Sequence, residues 1–401
     1  MKILISIIVG VMTLLFLTIH AFSHPEIEIT AELNTRFDLE YHASQLSPYL
    51  NASYVLTMSD DLADDRYGRL IAEIGIPFEQ FVRLKEAYLD FYFESVDLRV
   101  GYQRIAWGKA DGINPSDLFN PIDYTRPFAE DNRIRVPAVR MKYYHEQWMV
   151  DAVWVPFFTA SIFPQEGDRW AVQAAEISSL PPGYNLNQVD FKPTWEPEDR
   201  WSNSEIGIRV SHWSGSIDTS VSYFHGWKKE PFPFMTFEEE SPGLLNLMFE
   251  PRYYLIDVLG IDFAKDFEEY VFRGEAAYMI TRDEVNGPSP CFYYVLGLDT
   301  FPSDQSYINL QIMGEKAREG HDQLGMTLSY QYDVSDFSQI ELNGIYNFTG
   351  KDFVFNPKYT KEVSDSLTFS IGANLFFGPS GTAFGDLADK DFVFLEINKT
   401  F

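Results

Sequence analysis

The feature that most limits what this chain can fold into is an alternation of apolar and polar side chains, sustained for about ten residues at a time. In 323–332 one parity carries Leu324, Met326, Leu328, Tyr330 and Tyr332, and the other carries Gln323, Gly325, Thr327, Ser329 and Gln331. The pattern returns at 339–348, where Ile340, Leu342, Gly344, Tyr346 and Phe348 alternate with Glu341, Asn343, Ile345 and Asn347. At 367–376, Leu367, Phe369, Ile371, Ala373 and Leu375 alternate with Thr368, Ser370, Gly372, Asn374 and Phe376. A period of two marks strands with unlike faces. Further segments of this kind begin near residues 27, 49, 67, 83, 95, 135, 148, 204, 217, 253, 268, 292, 306, 353 and 391.

Strand length separates the two architectures open to such a chain. A soluble sandwich uses strands of about five or six residues, whereas a strand that crosses hydrocarbon at a tilt needs ~9–11. The long segments 268–280 and 339–348 fit the second case, and their Glu, Gln, Asn, Ser and Gly suit a wet lumen better than a packed core. Aromatic residues make up 16 % of the chain, enough for girdles at both membrane interfaces. The sequence thus predicts an all-β fold: a single closed antiparallel transmembrane β-barrel of about 16 strands (range ~14–18), with long loops partly folded into the lumen. A large secreted sandwich or β-helix is the competing architecture.

The first residues predict export. Lys2 precedes an apolar run from Ile3 to Ile19, and Ala21-Phe22-Ser23 has the small-x-small form of a signal-peptidase site. Cleavage after Ser23 would leave 24–401 as an outer-membrane barrel. The rest of the composition acts mainly by exclusion. With 59 acidic against 31 basic residues the net charge is −28, which repels nucleic acid. A single cysteine, Cys291, rules out an intramolecular disulfide framework and Cys-based metal sites, and reads as a small apolar residue. There is no G-x-S-x-G, H-E-x-x-H, glycine-rich phosphate loop or C-x-x-C-H. Ser211-His212, His225 and His321 are the only nearby material for a lipase, and chance accounts for them. The chain is therefore expected not to be an enzyme and to need no cofactor. The acidic run Glu238–Glu240 reads as a solvated face rather than a Ca²⁺ site.

Two connections are long. One runs from about Phe158 to Asn203 and is Pro-rich, with Trp170–Ile177 as one short helical piece; its aromatic residues favour a loop folded into or over the barrel mouth. The other spans Lys228 to Pro251. Neither a fixed-period repeat nor an interdomain linker is visible, so one domain is expected.

The stretch 101–121, GYQRIAWGKADGINPSDLFNP, is the most distinctive in the chain. It resembles a family of proteobacterial outer-membrane β-barrels known as a domain of unknown function, through Gly101, Gln103, Trp107, Gly108, Gly112, Ile113, Asn114, Asn120 and Pro121. Tyr102 stands where the family more often has Arg. VWVPFF at 153–158 and the segment 376–397 share the likeness, and alginate-export porins are more distantly similar. The resemblance implies a porin-like barrel and supplies no substrate. The terminal Phe401, closing the alternation Val393, Leu395, Ile397, Lys399, resembles the signal read by the barrel-assembly machinery, although Lys399 replaces the usual aromatic.

Charge concentrates around the same stretch. Arg99, Arg104, Lys109, Arg126, Arg133, Arg135, Arg140 and Lys142 lie among Asp97, Asp111, Asp117, Asp123, Glu130 and Asp131. If Val96, Leu98, Val100 and Tyr102 face lipid, then Asp97, Arg99 and Gln103 face the lumen; Arg140 and Lys142 likewise alternate with Val139, Met141 and Tyr143. A charge on the lipid face would cost ~2–4 kcal/mol near the midplane. Two readings stand side by side. One is a basic ladder for anionic solutes. The other is an inward-folded loop, 108–135, pinned by Arg99, Arg104, Arg133 and Arg135 through Asp111, Asp117 or Asp123, with Trp107 and Asn114 near the wall. Gly112 and Pro115 preset that turn.

The function expected is a porin-like channel or transport component for small or anionic/amphipathic solutes, or else a non-conducting scaffold or adhesin barrel whose acidic, aromatic loops bind a partner. Its expected partners are outer-membrane lipid, the barrel-assembly machinery, an unidentified solute and periplasmic or inner-membrane transport components.

Overall fold

The computed structural model of the chain describes residues 28–42, 45–63, 66–76, 82–129, 131–171, 184–282, 288–318 and 322–401. The expected leader 1–23, Ile27, Glu130, His321 and most of the expected helix Trp170–Ile177 lie outside these residues; Trp170 and Ala171 are not helical.

Every long alternating segment becomes a strand. In chain order these are β1 (Glu28–His42), β2 (Gln45–Ala63), β3 (Arg66–Ile76), β4 (Val82–Tyr92), β5 (Val96–Gln103), β6 (Val136–His145), β7 (Trp148–Val155), β8 (Asn185–Phe191), β9 (Glu205–Ser214), β10 (Ile217–Trp227) and β11 (Phe232–Ser241). They continue with β12 (Leu244–Arg252), β13 (Leu255–Phe267), β14 (Tyr270–Thr281), β15 (Cys291–Ser303), β16 (Ser306–Ala317), β17 (Gln323–Ser335), β18 (Ser338–Asn347), β19 (Asp352–Ser364), β20 (Leu367–Phe377) and β21 (Phe392–Thr400). All but β8, β11 and β12 form one 18-stranded sheet, and the antiparallel pairing of β1 with β21 closes it. The barrel thus has 18 strands rather than about 16. Turns of only two residues, such as Glu146-Gln147 between β6 and β7, leave more chain for strands than a ten-residue spacing suggests.

The faces are reversed relative to a soluble protein. Val221, Ile261 and Leu259 point outward and are 59, 58 and 54 % exposed. Inside, Asp262, Glu275, Asp299, Asn309 and Gln311 are buried. An apolar belt around a closed sheet with a polar interior is what a membrane requires, because every backbone group is then paired without an edge.

The two ends of the barrel differ. Eight connections, from Ala63/Arg66 to Ser364/Leu367, are short, and they share an end with Glu28 and Phe401. Glu146 and Glu268 adopt φ of 49° and 61° there to close tight turns. The long connections, 104–135, 156–204, 228–254 and 378–391, occupy the opposite end. This asymmetry places the short turns in the periplasm. The connections expected to be irregular contain a second, three-stranded sheet, in which β12 pairs antiparallel with β11 and parallel with β8. The acidic run Glu238–Glu240 therefore sits on β11, exposed, not on a loop.

The closing seam is fixed from inside and at its tip. Arg36 stands opposite Glu396 and bonds it at 2.6 Å, and its guanidinium lies 4.0 Å from the Phe394 ring centre. The Phe401 N–H donates to Ala31 O at 2.8 Å, with its ring on the outward parity. Deletion of Phe401 should lower the yield of heat-modifiable barrel severalfold, while the folded fraction conducts normally. Equal yields on unheated gels would contradict this.

Candidate functional site

The long connection 104–135 turns into the barrel instead of projecting from it. Its first anchor is apolar: Ile105, Trp107 and Phe119 join Val136, Val153, Val155, Phe224, Ile256, Val258 and Met279 of the inner wall. The Trp107 and Phe119 rings meet edge to face at 5.1 Å, and Phe119 meets Phe224 at 5.0 Å. Room for this pair exists because Gly207 of β9 carries no side chain; a Cβ there would lie 2.5 Å from Phe119 and 2.7 Å from Trp107.

The second anchor is polar. The buried Glu275 carboxylate of β14 accepts from the backbone N–H groups of Ser116 (2.7 Å), Lys109 (3.1 Å) and Ala110 (3.4 Å). Gly108 makes this approach possible: its φ is +100°, and a Cβ would come within 2.3 Å of a Glu275 oxygen. Gln311 donates to Asp111 O at 2.9 Å, and Asn309 to the Asp111 carboxylate at 3.0 Å. At the base of the segment Asn120 accepts from Ile105 N (2.7 Å) and donates to Ile134 O (2.8 Å), while Gln103 donates to Ala138 O (3.0 Å). The Ile134 N–H donates to Pro121 O at 2.7 Å. Gly112, at φ +84°, turns the tip.

Ion pairs complete the docking, but not in the pattern the sequence suggested. Arg133 does meet Asp117, at 3.4 Å. Arg99 instead makes two bonds to Asp90, opposite it on β4, and touches neither the segment nor its acids. Arg104 faces Asp131 at 3.5 Å, and Arg135 bonds Asp131 at 2.5 Å and Glu86 at 3.5 Å. Asp111 takes Arg273, Asp123 takes Arg83 at 3.2 Å, and Lys109 reaches Asp218 at 3.5 Å. Strand register gives Arg99 to the wall carboxylate Asp90, whereas Arg104, Arg133 and Arg135 pair with acids of the inward segment itself. Arg140 grips Asp151, whose carboxylate also accepts from the Trp107 indole N–H at 3.1 Å. Lys142 stands in register between Asp97 and Asp151, and Asp97 accepts from the Tyr144 hydroxyl at 2.8 Å. Burial pushes the Asp117 carboxyl above its ordinary range against the pull of Arg133. Asp131 is half-buried, which favours its neutral form, yet its hydrogen bond and charge pairing with Arg135 hold it below that range.

A second connection follows the first inward. Ile162 N donates to Ile122 O and Tyr124 N to Ile162 O, at 2.9 and 2.8 Å. Beyond it Arg169 bonds Asp38 and Glu40 of β1 at 2.5 and 3.0 Å, and Trp170 packs with Phe128 and Phe392.

Between these inward segments and the opposite wall of β1–β4 and β18–β21 lies an open space of about 1540 Å³. Arg36, Arg83, Lys85, Arg104, Arg126, Arg169 and Lys358 line it, matched by Glu32, Asp38, Glu73, Asp131, Asp168, Glu341 and Glu396. Asn343, Asn356, Asn374 and Asn398 add neutral polar groups. Of the basic residues expected in a ladder along 99–142, only Arg104 and Arg126 reach this space. Arg99, Arg140 and Lys142 face inward on the other wall. The cations that matter here, on β1, β4 and β19, were marked in the sequence only by inward parity.

Comparison with known proteins agrees with this architecture. A family model described as protein of unknown function (DUF1302) matches residues 77–343. No curated protein matches the chain in sequence. Among solved structures it is similar to OccK3 (OpdO) of Pseudomonas aeruginosa, at 8 % identity over 94 % of this chain and 96 % of that one, with a TM-score of 0.59. OpdL of the same organism gives 9 % identity, 94 % and 99 % coverage and a TM-score of 0.56. OccAB4 of Acinetobacter baumannii gives 9 %, 94 %, 98 % and 0.53. Identity this low speaks to fold alone: the porin-like barrel of the bacterial outer membrane.

Proposed function

The chain belongs to the DUF1302 family, and from that premise we propose that it is a porin-like outer-membrane channel for small hydrophilic solutes, running between the inward segments and the β1–β4/β18–β21 wall. The observation that carries this reading is the open lumenal space of about 1540 Å³ with charges of both signs along it. Such a lining replaces part of a solute's hydration without trapping either sign. Arg36, beside Phe392 and Phe394, and Arg169, beside Tyr49 and Trp170, combine a cation with aromatic faces and so suit small anionic or amphipathic solutes. Nothing in this route calls for a cofactor or a catalytic group.

In planar bilayers the purified protein should give discrete openings with weak ion selectivity. The pair Arg104→Glu and Arg126→Glu should move the reversal potential toward cations. Silent bilayers, or a reversal potential that ignores both changes, would overturn the proposal. Silence would favour the second reading, a scaffold or adhesin barrel, for which the exposed Phe191 and Trp201 at the long-connection end are the supporting observation. That the barrel-assembly machinery reads Phe401 on the closing strand is part of this proposal, and the Phe401 deletion tests it. Any periplasmic or inner-membrane transport partner would meet the short-turn end.

A further inference from the structure

On the outer face of the barrel, Asp257 of β13 stands among apolar side chains. It shares its parity with Leu259 and Ile261, while Ile256 and Val258 turn to the inner core. Beside it in register is His225 of β10, on the outward parity of Val221. The row runs across the sheet as Trp154, Ile206, His225, Asp257 and Ile280. The row next to it holds Tyr223, Leu259, Tyr278 and Phe292. Aromatic side chains at this density mark the level of the lipid headgroups. The leaflet is the one on the long-connection side, because β10 ends at Trp227, two residues beyond His225.

Three donors converge on this carboxylate. The Tyr223 hydroxyl donates to Oδ1 at 2.7 Å, His225 Nδ1 lies 2.8 Å from the same oxygen, and Arg282 Nε bonds Oδ2. Asp257 is thus satisfied and buried, and its effect falls on its partners. Holding Nδ1 leaves the other ring nitrogen of His225, Nε2, pointing away from the carboxylate. The His225 side chain is 31 % exposed and that of Arg282 is 58 % exposed. Among the described residues Asp257 is the only carboxylate that either of them meets. An acid placed only to tie strands together needs donors that end on it, whereas these two carry further donors to the surface at headgroup level. A guanidinium fork matches a phosphate. An imidazolium between Asp257 and that phosphate donates from both nitrogens. Along the strands from the cluster toward the membrane midplane, Leu259, Val221 and Ile261 form an exposed apolar strip fit for acyl chains.

We propose that His225 and Arg282, oriented by Asp257, bind the phosphate headgroup of a lipid in the leaflet opposite the periplasm, with its acyl chains on Val221, Leu259 and Ile261. The site lies outside the barrel wall and shares no residue with the solute route, so the two can fail independently.

The test is native mass spectrometry of the full-length barrel in detergent, which counts the lipids it retains. The probes are dimyristoylphosphatidic acid, dimyristoylglycerol, which has the same chains and no phosphate, and inorganic phosphate, which has no chains. The barrel should retain one phosphatidic acid about tenfold more tightly than the diacylglycerol, the value of a charge-assisted hydrogen bond, and equimolar inorganic phosphate should not displace it. Arg282→Gln keeps a neutral donor for Asp257 and removes the charge, and His225→Gln does the same on β10. Each should weaken phosphatidic acid about tenfold and leave the diacylglycerol unchanged. Lys265→Gln removes a cation of the same outward parity at the short-turn end of β13 and should change neither. If Arg282→Gln does not form a heat-modifiable barrel, His225→Gln decides alone. Equal retention of the two lipids by the wild type, a preference that survives both substitutions, or the same loss in Lys265→Gln would each overturn the proposal. Displacement by inorganic phosphate would overturn the lipid assignment, and so would a dimer that Arg282→Gln dissolves, which would give the cluster to a second copy of the chain.

Discussion

Replacing Glu275 by alanine should raise the single-channel conductance severalfold and sensitise cells to antibiotics too large for the wild-type channel. One carboxylate holds three backbone N–H groups of the inward segment, those of Lys109, Ala110 and Ser116. Without it these donors are buried and unmade, at ~1–3 kcal/mol each. No other wall residue reaches all three, so the segment relieves the cost by swinging out of the lumen toward the long-connection end, which widens the route. Glu275→Gln keeps an acceptor oxygen and should fall between the two. Conductance equal to wild type in Glu275→Ala would show that the segment is held by its apolar anchor alone.

Arg140→Ala should cost about 3–5 kcal/mol of barrel stability, the range for stranding one partner of a buried ion pair. Asp151 is 1 % exposed, and after the change the Trp107 indole N–H would be its remaining hydrogen-bond donor, with Lys142 and Arg209 opposite it in register. The temperature at which the folded band disappears from unheated gels should drop sharply. The double variant Arg140→Ala/Asp151→Ala should recover much of that loss, because the stranded charge is gone. A double variant as unstable as the sum of the two single ones would mean that the pair is not coupled. Arg99→Ala serves as a contrast: its partner Asp90 is on the wall, so the inward segment should stay docked.

How much of this could be read from the chain depends on whether the information is local. Alternation is local, and it correctly turned Val100, Met141 and Tyr143 outward and Arg99 and Arg140 inward. The turn chemistry of Gly112 and Pro115 is local too, and the inward course of 108–135 follows from it together with the density of charge. Pairing is not local. Arg99 meets Asp90 because the β4–β5 register sets them opposite each other, and one residue of slip would send Asp90 to the other face. Arg133 with Asp117 was legible since both belong to one segment. Glu275 was missed because it lies 159 residues from Ser116. A signal existed, for its inward neighbours Ala277 and Met279 are apolar, and an acid on such a face needs donors from elsewhere.

The same separation bears on how the molecule comes into being. The segment 104–135 leaves the ribosome and crosses the periplasm long before β14 and β16, which supply Glu275, Asn309 and Gln311. Contacts so remote in sequence form late, and until then Ile105, Trp107 and Phe119 have no cover. Once β1 and β21 have joined, a side-chain cluster of this bulk would have to thread a finished ring to reach its place. The economical order is the reverse: the sheet curls around a segment already seated on its later half, and the seam closes last.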